Sequence, residues 1–305
     1  MREARAYVPR PDAVKRSTTI DMASPTTQES LWLRRYHPRQ AAEVTLVCLP
    51  HAGGAASFWF PFSELLPPEV EVLAVQYPGR QDRRLDPRIE NVQEMARGVF
   101  DALGERARER PLALFGHSMG ASVGFELIRL LEGELDVVPA VFFASGRPAP
   151  SVHRSIGVHL RDDAGIVEEL RRISGTDGRV LDDPELLQLA LPAIRSDYKA
   201  AETYEYRPGP PLRCDIVGLT GDADPRVEPD EVATWRDHTT GSFAFHVLPG
   251  DHFYLGDRRR EVVDVVVDAL RASGALPGPL PGGVVAPPVL RPDDTRSPFG
   301  DRKAV

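Results

Sequence analysis

Gly116-His117-Ser118-Met119-Gly120 joins an apolar run, Leu112-Ala113-Leu114-Phe115, to a helix-like run from Ala121 to Leu131. This junction restricts the fold more than any other stretch of the chain. A G-x-S-x-G between a strand and a helix requires a sharp, strained turn that lifts the serine hydroxyl above the sheet edge. Both glycines follow from that geometry, because a Cβ on either side would crowd the neighbouring strand and helix. The turn also aims the backbone N–H of the next residue, Met119, at any oxyanion that develops beside Ser118.

The sheet such a turn needs is legible elsewhere. Val44 to Leu49 is a continuous apolar run, as expected of a strand buried on both faces. Val70 to Val75, Val141 to Ala144, Ile216 to Leu219 and Phe243 to Leu248 read the same way, and Leu31 to Tyr36 reads as a first edge strand. Helical patterns lie between them. Asn91 is placed as an N-cap with Glu94 three residues on. Glu261 to Ala272 presents Val262, Val263, Val265, Val266 and Leu270 on one face. Strands alternating with helices predict a mainly parallel central sheet covered by helices on both faces. With the serine junction, the expected fold is that of an α/β-hydrolase.

Pro148 to Pro211 lacks a strand pattern but holds helix-like pieces, Ala164 to Ile173 and Glu185 to Tyr204, the second interrupted by Pro192. At roughly sixty residues this is too long for an ordinary connection. It is expected to be an inserted helical lid, residues 148–211.

The 305 residues suffice for one large domain, placed at 31–275. Residues 1–30 are polar and irregular and are expected to be a disordered extension, with Met22 an alternative start. Residues 276–305 are proline-rich and are expected to form a flexible tail. A net charge of −8 argues against general binding to nucleic acid or anionic membrane. Cys48 and Cys214 sit in apolar runs and read as small buried residues, not as a disulfide or zinc site. With no secretory or 18-residue apolar run in the sequence, a soluble cytoplasmic protein is expected.

A serine hydroxyl needs a base within hydrogen-bond reach, and the base needs a third group to hold its tautomer. In this fold the order is serine, acid, histidine. His252, in Pro249-Gly250-Asp251-His252-Phe253, follows the last strand run and precedes the final helix, which places it on the serine's side of the sheet. The acid should follow the preceding strand, in Thr220-Gly221-Asp222-Ala223-Asp224-Pro225. Asp224 is favoured; Asp222 competes, with capping of the turn as its other role. A second oxyanion donor is expected from Pro50-His51-Ala52-Gly53-Gly54-Ala55, at the Ala52 N–H beside that of Met119. His51 and His117 are read as scaffold or pocket-lining residues, since one base suffices.

Pro50-His51-Ala52-Gly53-Gly54, Gln76-Tyr77-Pro78-Gly79-Arg80, Gly116-His117-Ser118-Met119-Gly120 and Gly250-Asp251-His252-Phe253, in this order, resemble the type II thioesterases of polyketide and nonribosomal peptide synthesis. Leu170-Arg171-Arg172-Ile173-Ser174-Gly175-Thr176 and Asp183-Pro184-Glu185-Leu186-Leu187 extend the likeness, which covers Trp32 to Gly274. The resemblance implies hydrolysis of misprimed or stalled acyl groups from the phosphopantetheine arm of acyl or peptidyl carrier proteins. It implies Ser118 as nucleophile, His252 as base, Asp224 as orienting acid, and Ala52 and Met119 as oxyanion donors. No metal or bound cofactor is implied, because the phosphopantetheine belongs to the substrate. Carrier proteins are generally acidic, so Arg80, Arg83 and Arg84 are a candidate docking patch, with a solvated charged loop as the other reading. Hydrolysis of acyl-CoA or small free esters would use the same triad, and a non-catalytic binding protein would keep the fold without the chemistry.

Overall fold

In the computed structural model of the protein, residues 31–152, 155–173 and 183–278 are described. The expected extension at 1–30, the last three residues of the thioesterase-like run at 170–176 and the tail beyond 278 lie outside them.

Seven strands form one sheet: β1 (Leu33–Arg34), β2 (Val44–Leu49), β3 (Val70–Val75), β4 (Leu112–His117), β5 (Val141–Ser145), β6 (Asp215–Gly221) and β7 (Phe243–Leu248). Their spatial order is β1-β3-β2-β4-β5-β6-β7. Only β1 is antiparallel; every other neighbouring pair is parallel. From β2 the chain goes first to β3 on one side and then to β4 on the other. The crevice at the carboxyl ends of β2 and β4 is therefore a topological switch point, where ligands bind in such sheets.

The strand interiors are apolar because both faces are covered. Side chains alternate across a strand, so Val47 and Leu49 face one core while Leu46 and Cys48 face the other. Among the described residues the α-helices are α1 (Phe60–Leu65), α2 (Val92–Leu103), α3 (Met119–Glu134), α4 (Asp163–Arg172), α5 (Pro184–Glu202), α6 (Pro229–Ala233), α7 (Tyr254–Asp257) and α8 (Arg259–Ala272). Helices α2 and α3 close the first core, and α1 and α8 close the second. Helix α2 starts where expected, with the Asn91 side chain accepting the Glu94 N–H at 3.0 Å. Such a cap contributes about 1 kcal/mol.

The expected edge strand at 31–36 shortens to Leu33–Arg34. Pro38 removes a ladder donor and restricts His37 before it. Tyr36 and His37 turn onto α1 instead, with Tyr36 edge-on to Phe60 at 5.4 Å and His37 Nδ1 2.8 Å from Ser63 Oγ.

Helix α5 runs unbroken through Pro192, against the expected interruption. The carbonyl that loses its partner belongs to Gln188, and both residues are exposed, so solvent can take that bond. The opposite flank is buried through Leu191, Ile194 and Tyr198, which hold the helix against α4 and Phe253 in a third apolar cluster. At its start, Asp183 caps the Glu185 and Leu186 amides at 2.9 and 3.1 Å, and Pro184 occupies the first turn.

Candidate active site

Ser118 sits between β4 and α3 with φ 53° and ψ −119°, a backbone conformation that residues with a Cβ rarely adopt. Its N–H donates to Ser145 O on β5 at 2.8 Å, which pins the turn to the sheet. A Cβ on Gly116 would lie 2.3 Å from Gly120 O, and one on Gly120 would lie 2.2 Å from Leu49 O. The close approach of strand and helix that forms the turn thus excludes any side chain at either position.

The chain reverses at the ends of β6 and β7 to bring two further side chains to the serine. His252 Nε2 lies 3.0 Å from Ser118 Oγ. His252 Nδ1 lies 2.7 Å from Asp224 Oδ2, and Asp224 Oδ1 accepts the Arg226 N–H at 2.8 Å. His252 and Asp224 are both buried. Asp222, the competing carboxylate, points elsewhere: its Oδ1 accepts the Gly250 N–H at 2.9 Å and ties the acid loop to the histidine loop.

Ala52 and Met119 line the same cavity as Ser118 and His252. Met119 is the first residue of α3, where N–H groups have no partner within the helix. The cavity measures about 150 Å³. Part of its lining comes from the 148–211 stretch, through Ile173 at the end of α4 and Tyr198 on α5.

The two histidines read as scaffold or pocket-lining residues, His51 and His117, pack beside His252. His51 lines the cavity, edge-on to Phe58 and Phe253 at 4.7 and 4.8 Å. Burial lowers its imidazole to about 3, with His252 and Arg80 adding to the effect. His117 is fully buried, with Nδ1 2.9 Å from Ser145 Oγ, which is 2.6 Å from Tyr254 OH. Burial, then the neighbouring His252 and His51, hold the His117 imidazole well below its ordinary range.

The candidate docking patch does not form. Arg80 and Arg83 are buried, and only Arg84 is exposed. Arg80 forms a buried ion pair with Asp197, and Arg83 bonds Asp86 Oδ2 at 2.8 Å and Gln76 O at 2.9 Å. A run of arginines cannot be told from the sequence to be internal, because the partner Asp197 lies on a distant helix. Two cavity residues also escaped sequence reasoning. Arg147 follows β5 on the serine's side of the sheet, and Arg226 lies beyond Asp224. For Arg147, its place just past a strand's carboxyl end was the available signal. Burial and the charge of Arg226 lower the Arg147 guanidinium to about 10.

The geometry has counterparts among known proteins. The thioesterase-domain family matches residues 44–270. Thioesterase PikA5 of Streptomyces venezuelae is 51% identical over 258 residues, covering 85% of this chain and 91% of that protein. The solved structure of the type II thioesterase BorB, from the borrelidin biosynthetic cluster, superposes with a TM-score of 0.74 at 48% identity, covering 79% of this chain and 98% of that one. The RedJ thioesterase of the prodiginine pathway in Streptomyces coelicolor gives a TM-score of 0.71 at 34% identity, covering 79% and 94%. A family match over most of the chain and relatives this similar along nearly their whole length establish that the chain belongs to the thioesterase family of α/β-hydrolases, among the type II thioesterases of polyketide and nonribosomal peptide clusters.

Proposed function

We propose that this thioesterase removes aberrant or stalled acyl groups from the phosphopantetheine arm of acyl and peptidyl carrier proteins, with Ser118, His252 and Asp224 as its catalytic residues. The observation that carries the reading is the chain of contacts from Ser118 Oγ to His252 Nε2 at 3.0 Å and from His252 Nδ1 to Asp224 Oδ2 at 2.7 Å. Ser118 Oγ attacks the thioester carbonyl while its proton passes to His252 Nε2. The tetrahedral oxyanion is held by the Ala52 and Met119 N–H groups. The C–S bond then breaks, and His252 returns the proton to the departing thiolate. Water attacks the acyl-serine, gives a proton to His252, and the carboxylic acid leaves as Ser118 regains its hydrogen. Asp224 holds the imidazole in the tautomer with its hydrogen on Nδ1 and offsets the imidazolium charge.

In this reading the 148–211 stretch serves as the lid, because α4 and α5 supply part of the cavity wall. Residues 31–275 form the catalytic domain. The cavity has room for a group about the size of benzene, which favours short acyl chains. Cys48 and Cys214 are free and buried, in keeping with a reducing, cytoplasmic setting.

The test is intact-mass detection of deacylation of acetyl-, propionyl- and decanoyl-carrier proteins, with the matching acyl-CoA and a simple ester as competitors. Carrier-bound short acyl groups are expected to give the highest kcat/KM, and Ser118→Ala is expected to turn over none of them. Equal turnover by that variant would reject the mechanism. A preference for free esters would reject the substrate.

A further inference from the structure

The Gln76–Arg80 segment takes no part in the chemistry above, yet it meets helix α5 directly beneath the loop that carries Ala52. Arg80 grips Asp197 of α5 through both ends of its fork, Nη1 to Oδ2 at 2.6 Å and Nη2 to Oδ1 at 2.8 Å. The two side chains are 6% and 0% exposed. Asp197 Oδ2 also accepts the Gly53 N–H at 2.7 Å. Arg80 Nη1 also donates to Gly54 O at 2.8 Å. Gln76 Oε1 accepts the Ala56 N–H at 2.7 Å, which holds the far end of the loop.

These bonds fall on successive peptide units. The Ala52 N–H belongs to the same peptide plane as the His51 carbonyl, and that carbonyl accepts the Gly54 N–H at 2.9 Å. Asp197 fixes the next plane through Gly53 N–H, and Arg80 fixes the plane that carries Gly54 O. A loop of two glycines has no side chains of its own to resist rotation of these planes. Gly53, at φ +77°, also lets α5 come close, since a Cβ there would lie 2.7 Å from Ile194 Cγ1.

We infer that Arg80 and Asp197 are positioning residues for the oxyanion site, aiming the Ala52 N–H through the Gly53-Gly54 peptides so that the site is complete only while α5 is seated. This rests on the reading of Ala52 as an oxyanion donor. It gives the Gln76–Arg80 motif a role inside the protein, where the sequence suggested a surface one. It also makes the 148–211 stretch part of the catalytic geometry as well as a wall.

The experiment compares Asp197→Asn and Arg80→Lys with wild type. Asn keeps the size and an acceptor but loses the charge; Lys keeps the charge but is shorter and loses the second arm of the fork, the Nη2 bond to Asp197 Oδ1. Functional sites are counted by stoichiometric labelling of Ser118 with a nitrophenyl phosphonate, so that misfolded protein drops out. On a short acyl thioester of N-acetylcysteamine, kcat per labelled site is expected to fall about 10- to 100-fold in both variants. KM is expected to stay within about threefold. The affinity of a trifluoromethyl ketone, whose serine adduct places an oxyanion in the same site, should fall by the same factor as kcat. Arg195→Ala is the control: it removes a 2.9 Å contact of α5 with His159 O, away from the loop, while the Arg80–Asp197 pair still seats the helix, and it should leave kcat per site within about twofold. Wild-type kcat per site and ketone affinity in Asp197→Asn and Arg80→Lys would overturn the inference, as would an equal loss in Arg195→Ala. Failure of the serine-hydrolase reading itself would show separately, as absence of phosphonate labelling in the wild type.

Discussion

His252 Nδ1 lies 2.7 Å from Asp224 Oδ2, in a pair whose side chains are 5% and 0% exposed. The second oxygen of Asp224 is occupied by the Arg226 N–H. The carboxylate therefore has a fixed orientation and one imidazole nitrogen to accept from, which directs Nε2 to Ser118. Asp222, two residues earlier, spends its carboxylate on the Gly250 amide.

From this division of labour, Asp224→Asn is expected to lower kcat by about 10³- to 10⁴-fold, because the amide favours the wrong imidazole tautomer. Asp222→Asn keeps an acceptor for Gly250 N–H and is expected to change kcat by less than about tenfold. Steady-state kinetics on one acyl thioester decide. Collapse of the Asp222 variant alone would reassign the acid.

Ser118 holds its place above the sheet edge at a cost in backbone strain, at φ 53° and ψ −119°. Such a conformation costs about 1–3 kcal/mol for a residue with a Cβ. Glycine adopts it freely but loses about 0.4–1 kcal/mol through the entropy of the unfolded chain. Ser118→Gly is therefore expected to be about 1 kcal/mol more stable than Ser118→Ala, both being inactive. The Ala variant is the proper reference, since it shares the lost hydroxyl. Urea denaturation of the two proteins checks this; a less stable Gly variant would mean that the turn is not strained.

The sheet was legible because its central parallel strands are buried along their length, so Val44–Leu49 and Val70–Val75 are mainly apolar runs with the expected bounds, as is the less buried edge strand Phe243–Leu248. The serine turn was legible because backbone geometry dictates its glycines, as the 2.2 Å approach at Gly120 shows. Tertiary partners were not. Arg80 looks like a surface charge until Asp197, 117 positions on, is folded against it. Pro192 looks like a helix break until packing of Leu191, Ile194 and Tyr198 holds the helix through it. Helix α1 at 60–65 was not anticipated: it is a single short piece with Pro61 in its first turn and no side-chain cap.

The buried histidines make stability depend on pH in a predictable direction. His51 and His117 stay neutral in the folded protein, the first lowered to about 3 and the second well below its ordinary range, mainly through burial. Burial lowers His238 and His246 as well. In the unfolded chain each imidazole takes up a proton near pH 6.5. Below that pH the unfolded state binds more protons than the folded state, so acid favours unfolding. The stabilisation is complete above about pH 6.5 and is lost progressively as the pH falls toward the folded values. Each fully buried imidazole contributes up to about 1.4 kcal/mol per pH unit in that window. Carboxylates such as Glu169 and Glu202, held low in the fold by Arg172 and His159 against the opposing effect of burial, add their own loss only at more acidic pH. Urea denaturation between pH 7.5 and about 5 should therefore show falling stability, with a shallower fall in His117→Asn, whose amide can still reach Ser145 Oγ. A wild-type stability that stays level or rises between about pH 6.5 and 5 would show that these imidazoles take up protons without unfolding.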